Sequence, residues 1–257
     1  MLSVVIILTM EHIPHLSKDK KLKKVIDLQK PLVLAKRNNV CIYLCYSIMS
    51  QQLSTKVADV FHRRFIDLYG GYEPTAEQVV TTSFETLRGI GLSNAKANYV
   101  LNVCRFFIDE QVTDEKLHVM SNEEVIECLT KIKGVGKWTV EMILMFALGR
   151  EDVFSVDDLG IQQAVCKLYR IDPENKKAMK EKMLAVSKKW SPYRTYACRY
   201  LWGWKDNAPE PKAKKDANSK TEKKSVKEKS KKTKNGKESK RRTKTAKAKT
   251  PVKRKRA

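Results

Sequence analysis

No Cys-x-x-Cys pair occurs anywhere in the 257 residues. Centres built on paired thiols are therefore not expected, neither a structural zinc nor an iron–sulfur cluster. The six cysteines are Cys41, Cys45, Cys104, Cys128, Cys166 and Cys198. Most fall in apolar helical stretches, where a free thiol packs as a small hydrophobe. Such usage fits a reduced, intracellular protein. No apolar run is long enough to span a bilayer, so no membrane partner is expected. The opening run MLSVVIILTM is short, lacks a basic lead and meets Glu11 at once. It reads as a short helix or strand, or as extra sequence ahead of a start at Met10. Alternation of apolar and polar residues, the mark of a half-buried strand, is missing. Aromatic residues are missing after Trp204.

Acidic residues are scarce relative to basic ones, and the formal net charge is +23. The excess is unevenly placed. Residues 205–257 hold 23 Lys and Arg against 6 Asp and Glu, a net of +17, which leaves +6 for everything before them. With no aromatics and almost no large aliphatics, that tail cannot offset its ordering entropy by burial. It is expected to be disordered, and polycationic enough to favour nucleic acid by counterion release. Lys253-Arg254-Lys255-Arg256 also suits a nuclear address, and a purely solubilising tail is the bland alternative.

Ahead of the tail the chain reads as about eight to ten helices of ordinary length, hence all-α. Val40 to Met49 is strongly apolar and runs into Ser50-Gln51-Gln52-Leu53-Ser54. A helix follows from Thr55 to Tyr69, stopped by Gly70-Gly71. Gly89-Ile90-Gly91-Leu92-Ser93-Asn94 forms a corner before another helix, from about Ala95 to Phe107. The closing helix, Tyr193 to Trp204, is rich in aromatics.

The stretch Leu129 to Ile161 organises the rest. A turn at Gly134-Val135-Gly136 separates two helical segments. Glycine admits positive φ and lets a backbone approach a partner closely. The helix beginning after it offers unpaired N–H groups and the positive end of its dipole, a phosphate site. Helix, Gly-x-Gly, helix is a helix-hairpin-helix, though the turn alone is weak evidence. Two adjacent carboxylates, Asp157 and Asp158, come after the apolar pair Val153-Phe154.

Ile132-Lys133-Gly134-Val135-Gly136-Lys137-Trp138-Thr139, with Asp157-Asp158 at this distance, resembles the helix-hairpin-helix DNA glycosylases, above all those acting on alkylpurines (3-methyladenine II type). The likeness extends over about residues 36–204, with Ser50-Gln51-Gln52-Leu53-Ser54 and Tyr196 to Trp202 as further markers. It implies a two-lobed helical body that flips a damaged base out of duplex DNA and hydrolyses its N-glycosidic bond. Residues 1–35 would pack on that body, 36–204 would be the glycosylase domain and 205–257 the tail. No cofactor is expected. The resemblance fits a monomer working on DNA, in bacterial cytoplasm or nucleoid or in a nucleus. A non-catalytic DNA-binding module, or a glycosylase for another damaged or mismatched base, remains as the alternative.

By the same resemblance Asp158 is the catalytic carboxylate, which leaves Asp157 as a helix cap. A lysine stands at the place of Trp138 in bifunctional relatives. Lys137 is turned away by about 100° on a helix, so a monofunctional enzyme is implied. Trp138 would stack on the extruded base or sit in the core. Trp202, Tyr196 and Gln51 would line the base pocket, although each could equally be a core or helix-end residue. The backbone around Gly134, Gly136 and Thr139, helped by Lys133 and Lys137, would grip phosphates. A monovalent, non-catalytic cation could sit on hairpin carbonyls near Ile132 and Val135. The wedge entering the duplex would be Leu92, Ser93 or Asn94. His62 and His118 show no partner spacing and read as surface residues.

Overall fold

A computed structural model describes residues 5–7 and 10–206. The tail expected to be disordered lies outside the described residues from 207 onward. A short antiparallel ribbon pairs β1 (Val5–Ile7) with β2 (Leu34–Lys36), and α1 (His12–Leu16) and α2 (Lys20–Ile26) lie between them. Three-residue strands are too short to show alternation, so the ribbon escapes a sequence reading. Apart from it the described body is helical, as expected.

Two groups of helices share one core. The first holds α3 (Val40–Ser50), α4 (Thr55–Asp67), α5 (Ala76–Thr81), α6 (Phe84–Gly89), α7 (Asn94–Asp109) and α8 (Asp114–Val119). Here α7 packs on α3, α5 and α6, and α3 also packs on α4. α9 (Asn122–Leu129) and α10 (Lys137–Phe146) follow, and α10 packs on α9, α3 and β2. The second group is α11 (Leu159–Tyr169), α12 (Lys176–Ser187), a 3₁₀ turn at Lys188–Trp190 and α13 (Arg194–Asp206). α11 packs on α13 and α12, and α2 lies against both α11 and α13. Thirteen α-helices are present among the described residues, more than the periodicity suggests. The surplus comes from short helices set by their own caps, such as Thr75, Ser83 and Thr113 at the starts of α5, α6 and α8. Among the described residues no helix is long and apolar enough to cross a membrane.

Side chains fix these elements at a few points. Leu44, Ile48 and Phe65 are fully buried in the first group, and Trp190 and Tyr200 in the second. Each is worth about 1.5–3 kcal/mol by burial. Asp114 caps α3 from a distance, accepting from the N–H groups of Asn39 at 2.6 Å and Val40 at 3.0 Å. Arg150 spreads one nitrogen over the carbonyls of Leu117, His118 and Met120, which closes α8.

Asp19 is the densest of these points. Its Oδ1 accepts from the N–H groups of Lys21 and Leu22. Its Oδ2 takes the Trp190 indole N–H at 3.1 Å, the Tyr169 hydroxyl, and the Lys189 ammonium at 2.8 Å. Burial opposes its charge, but Lys189, Tyr169, Trp190 and the Lys21 N–H outweigh that and bring the pKa to about 2, from an ordinary 3.8. A depressed carboxyl contributes stability that is complete above 3.8 and is lost as pH falls toward 2. Asp19→Asn should therefore lower unfolding free energy in urea by about 2 kcal/mol at neutral pH. The gap from the parent protein should narrow as pH is lowered from about 5 to about 2. A gap independent of pH would contradict this assignment.

Candidate active site

The hairpin is built by its glycines and by two buried anchors. Gly134 has φ +104°, and a Cβ there would drive into the Tyr99 ring. Both conformation and space demand glycine. Ile132 and Val135 are buried beneath the turn, and the Val135 N–H donates to the Ile132 carbonyl at 3.0 Å. Gly136 is the N-cap of α10 and brings no side-chain cap. The first-turn N–H groups of Lys137, Trp138 and Thr139 therefore lack an intrahelical acceptor. Lys133 and Lys137 are exposed beside them, while the Thr139 side chain is buried.

α10 is apolar on most sides, with Val140, Ile143, Leu144 and Met145 buried, so it runs through the middle of the body. Its first turn faces the loop that carries the Asp pair. Asp158 is the N-cap of α11, accepting from the Ile161 N–H at 2.8 Å on Oδ1. The Trp202 indole N–H donates to the same oxygen at 2.8 Å. The Trp138 indole N–H donates to Oδ2, also at 2.8 Å. An ionised carboxylate is acceptor-only, and three N–H donors suit it and fix its rotamer. Asp158 is 9% exposed, whereas Trp138 is 43% exposed. One turn below, the Ser155 hydroxyl donates to the buried Glu141 at 2.5 Å, which holds the loop to α10 a second time. Burial pushes the Glu141 carboxyl up, against the pull of Ser155 and Lys137.

Asp157 does not cap α11. It pairs with Lys180 at 2.5 Å on the surface, and the cap falls to Asp158. The residue that the resemblance marks as the catalytic carboxylate is therefore also the helix cap.

A cavity of about 440 Å³ opens in front of Trp138. Trp138, Met142 and Phe146 of α10 line one side; Tyr43, Tyr46 and Ser50 of α3 line the other, with Gln51, Gln52 and His62 closing it. Trp202 stacks on Phe146, 5.8 Å between centroids, and so joins the cavity wall to Asp158. Tyr196 belongs elsewhere. It is fully buried, stacks on His12 at 3.8 Å, and its hydroxyl donates to Glu151. On the last helix Trp202 lies toward the site and Tyr196 toward α1, a difference of helical face that spacing from a motif does not reveal.

Of the three wedge candidates at 92–94, one needs correction. Leu92 is 1% exposed and belongs to the core. Ser93 caps α7 through the Lys96 N–H, and Asn94 is the exposed first residue of that helix. Lys96 reaches across to the carbonyls of Met49 and Gln51, at 2.8 and 2.7 Å, and so ties the cavity rim to α7. The rim residue Gln52 is exposed at φ 62°. His62 is no free surface group: Nε2 lies 2.9 Å from the Ser50 hydroxyl and 3.3 Å from the Tyr46 carbonyl. His118 lines a different cavity with Arg150 and Asp152, and burial lowers its pKa.

Sequence reading missed Met142 and Phe146, although they follow Trp138 at i+4 and i+8 and so share its face. It also missed Gly160. A Cβ there would stand 3.0 Å from the Trp202 ring and 3.1 Å from Asp158 Oδ1. Gly160→Ala should push the Trp202 indole off the carboxylate. A crystal structure of the variant should show that 2.8 Å bond stretched beyond about 3.5 Å, and an unmoved indole would refute the steric role.

Comparison with known proteins places this geometry. The family model "HhH-GPD superfamily base excision DNA repair protein" matches residues 45–190. A putative DNA-3-methyladenine glycosylase of Bacillus subtilis is 34% identical over 67% of this chain and 60% of its own length. DNA-3-methyladenine glycosylase 1 of Schizosaccharomyces pombe is 36% identical over 71% of this chain and 80% of its own. The solved structure of an S. pombe 3-methyladenine DNA glycosylase in complex with abasic DNA aligns with a TM-score of 0.65 and 33% identity, covering 77% of this chain and 98% of that one. The chain thus spans 60% of the Bacillus relative and most of the yeast one. The glycine-cornered hairpin, Asp158 and most of the residues lining the cavity between α3 and α10 lie within the matched segment, and the chain belongs to the HhH-GPD superfamily of base excision DNA repair proteins.

Proposed function

We propose that this chain is a monofunctional DNA glycosylase that hydrolyses the N-glycosidic bond of alkylated purines in duplex DNA and leaves an abasic site. The observation that carries this is the Asp158 carboxylate, fixed by three N–H donors, one of them the indole of Trp138, whose ring lines an aromatic cavity. Breaking the bond builds positive charge on the sugar. A carboxylate beside it stabilises that charge and orients or deprotonates water, help worth ~10²–10⁴-fold for base assistance alone. The small exposed part of Asp158 is where the sugar would meet it. An alkylated purine is already cationic and leaves as a neutral base, so little acid catalysis is required. Electron-rich rings at Trp138, Tyr43 and Tyr46 favour a cationic base.

Lysine chemistry is not supported by the site. Position 138 is Trp, and Lys137 lies 3.9 Å from Glu141. The hairpin would hold the DNA backbone through its amides, with Lys133 and Lys137 adding charge. A monovalent cation on the carbonyls of Ile132 and Val135 suits this role. Ile132 O already accepts one N–H and keeps a second lone pair. The wedge is better sought at exposed Gln52 on the rim than at buried Leu92. The reading is of a monomer that works wherever the cell keeps its duplex DNA.

Asp158→Asn should abolish release of free 3-methyladenine and 7-methylguanine from methylated duplex, by ~10²-fold or more, with DNA binding retained. A chain that only binds DNA would release no base before or after the change. Borohydride should trap no covalent complex with damaged DNA, and a trapped Schiff base would disprove the monofunctional route. Lys133→Ala should weaken binding to all sequences alike and lower the slope of log K against log salt by about 1.

A further inference from the structure

Buried polar atoms are seldom left without a partner, because each costs about 1–3 kcal/mol. Among the described residues four side-chain atoms are in that position: Arg37 Nε, Tyr46 OH, Glu73 Oε1 and Arg150 Nε. Three of the four belong to residues lining a single cavity, a chamber of about 760 Å³ bounded by Arg37, Tyr46, Glu73, His62, Ile66 and Tyr72. This chamber is separate from the cavity in front of Trp138, yet the two share Tyr43, Tyr46 and His62 as a common wall.

The chemistry of the wall is specific. Arg37 lies over the Tyr43 ring at 5.0 Å, which places a cation behind a side chain that lines the base cavity. Tyr46 leans on His62, 4.7 Å between ring centroids, and His62 is held by Ser50. Burial pushes the Glu73 carboxyl up, the mark of a poorly hydrated acceptor. The three orphaned atoms are one donor, one hydroxyl that does either, and one acceptor. Gly70 and Gly71, both at positive φ, bring Glu73 to the chamber from the end of α4.

We propose that this chamber is a polar subsite behind the base pocket, taking the outer edge of the extruded purine when that edge carries a hydrogen-bonding substituent larger than methyl, such as a hydroxyalkyl group. The proposal rests on the glycosylase reading above. The purine ring itself would occupy the front cavity, against Trp138 and Phe146. The substituent would pass the Tyr46–His62 wall and exchange hydrogen bonds with Tyr46 OH and Glu73 Oε1. A plain methyl group reaches neither, and would leave those atoms unpaired.

The test is a competition within one preparation. Duplexes carrying 7-methylguanine or 7-(2-hydroxyethyl)guanine are incubated with the full-length parent protein, Glu73→Met and Tyr46→Phe, and kcat/KM is measured for each. The ratio of hydroxyethyl to methyl is independent of how much protein has folded. It should fall about tenfold in both variants, the usual cost of removing one partner from a buried bond. Tyr46→Phe keeps the ring and guards against a collapse of the wall in Glu73→Met. An unchanged ratio in both variants would mean that the chamber holds solvent only, and would overturn the proposal. Absence of release from either lesion by the parent protein would instead sink the glycosylase reading, and the subsite with it.

Discussion

Three N–H donors meet on the Asp158 carboxylate, and each comes from a different helix. Trp138 arrives from the first turn of α10, Trp202 from α13, and the Ile161 amide from α11. The two halves of the described body are thereby brought to one point. Much of the surrounding sequence is explained by the need to keep that point intact. Gly160 leaves room for the Trp202 ring. Ser155 and Glu141 hold the preceding loop against α10. Phe146 supports Trp202 from the cavity side. A carboxylate so constrained has little freedom to rotate away from a developing charge, and fixed electrostatics of that kind cost no reorganisation at the moment of reaction.

The hairpin solves a different problem with the same helix. The start of α10 carries Trp138 for the site and, through Gly136, an uncapped first turn for a phosphate. Gly134 meets a strict steric condition, since Tyr99 fills the space where a side chain would go. Backbone grip and base pocket therefore lie a few residues apart on one rigid element, the arrangement best suited to precise positioning. On the proposed reading, a lesion held by its flanking phosphates would be presented to Asp158 without a hinge between the two.

How much of this could be read from the chain depends on how local the information is. The Gly-x-Gly turn, the Asp pair and Trp138 lie within 25 residues and carry the spacing of a known family, so the centre of the candidate site, where Trp138 meets Asp158, was legible. Between Asp157 and Asp158 the sequence assigned the cap to the wrong residue. A cap depends on φ and ψ at one position, which composition does not encode. Leu92 and Tyr196 failed for another reason. Both are apolar or aromatic residues near helix starts, and only packing decides whether such a residue faces a cavity or the core. His62 looked unpartnered because its partners, Ser50 and Tyr46, sit on a neighbouring helix and not at any regular spacing. The helical class of the body was plain from periodicity, while the β1–β2 ribbon and the short capped helices were hidden by their brevity.

The central claim is that Asp158 faces positive charge forming on a sugar. It is tested most directly without any base release. Duplex DNA is prepared with either a pyrrolidine abasic analogue, which is cationic, or a neutral tetrahydrofuran one, and dissociation constants are measured for the parent protein and Asp158→Asn. The parent should prefer the cationic analogue by about tenfold or more, as transition-state mimics do, and the preference should vanish in the variant. Equal affinity of the parent for the two analogues, or a preference that survives loss of the carboxylate, would contradict the account.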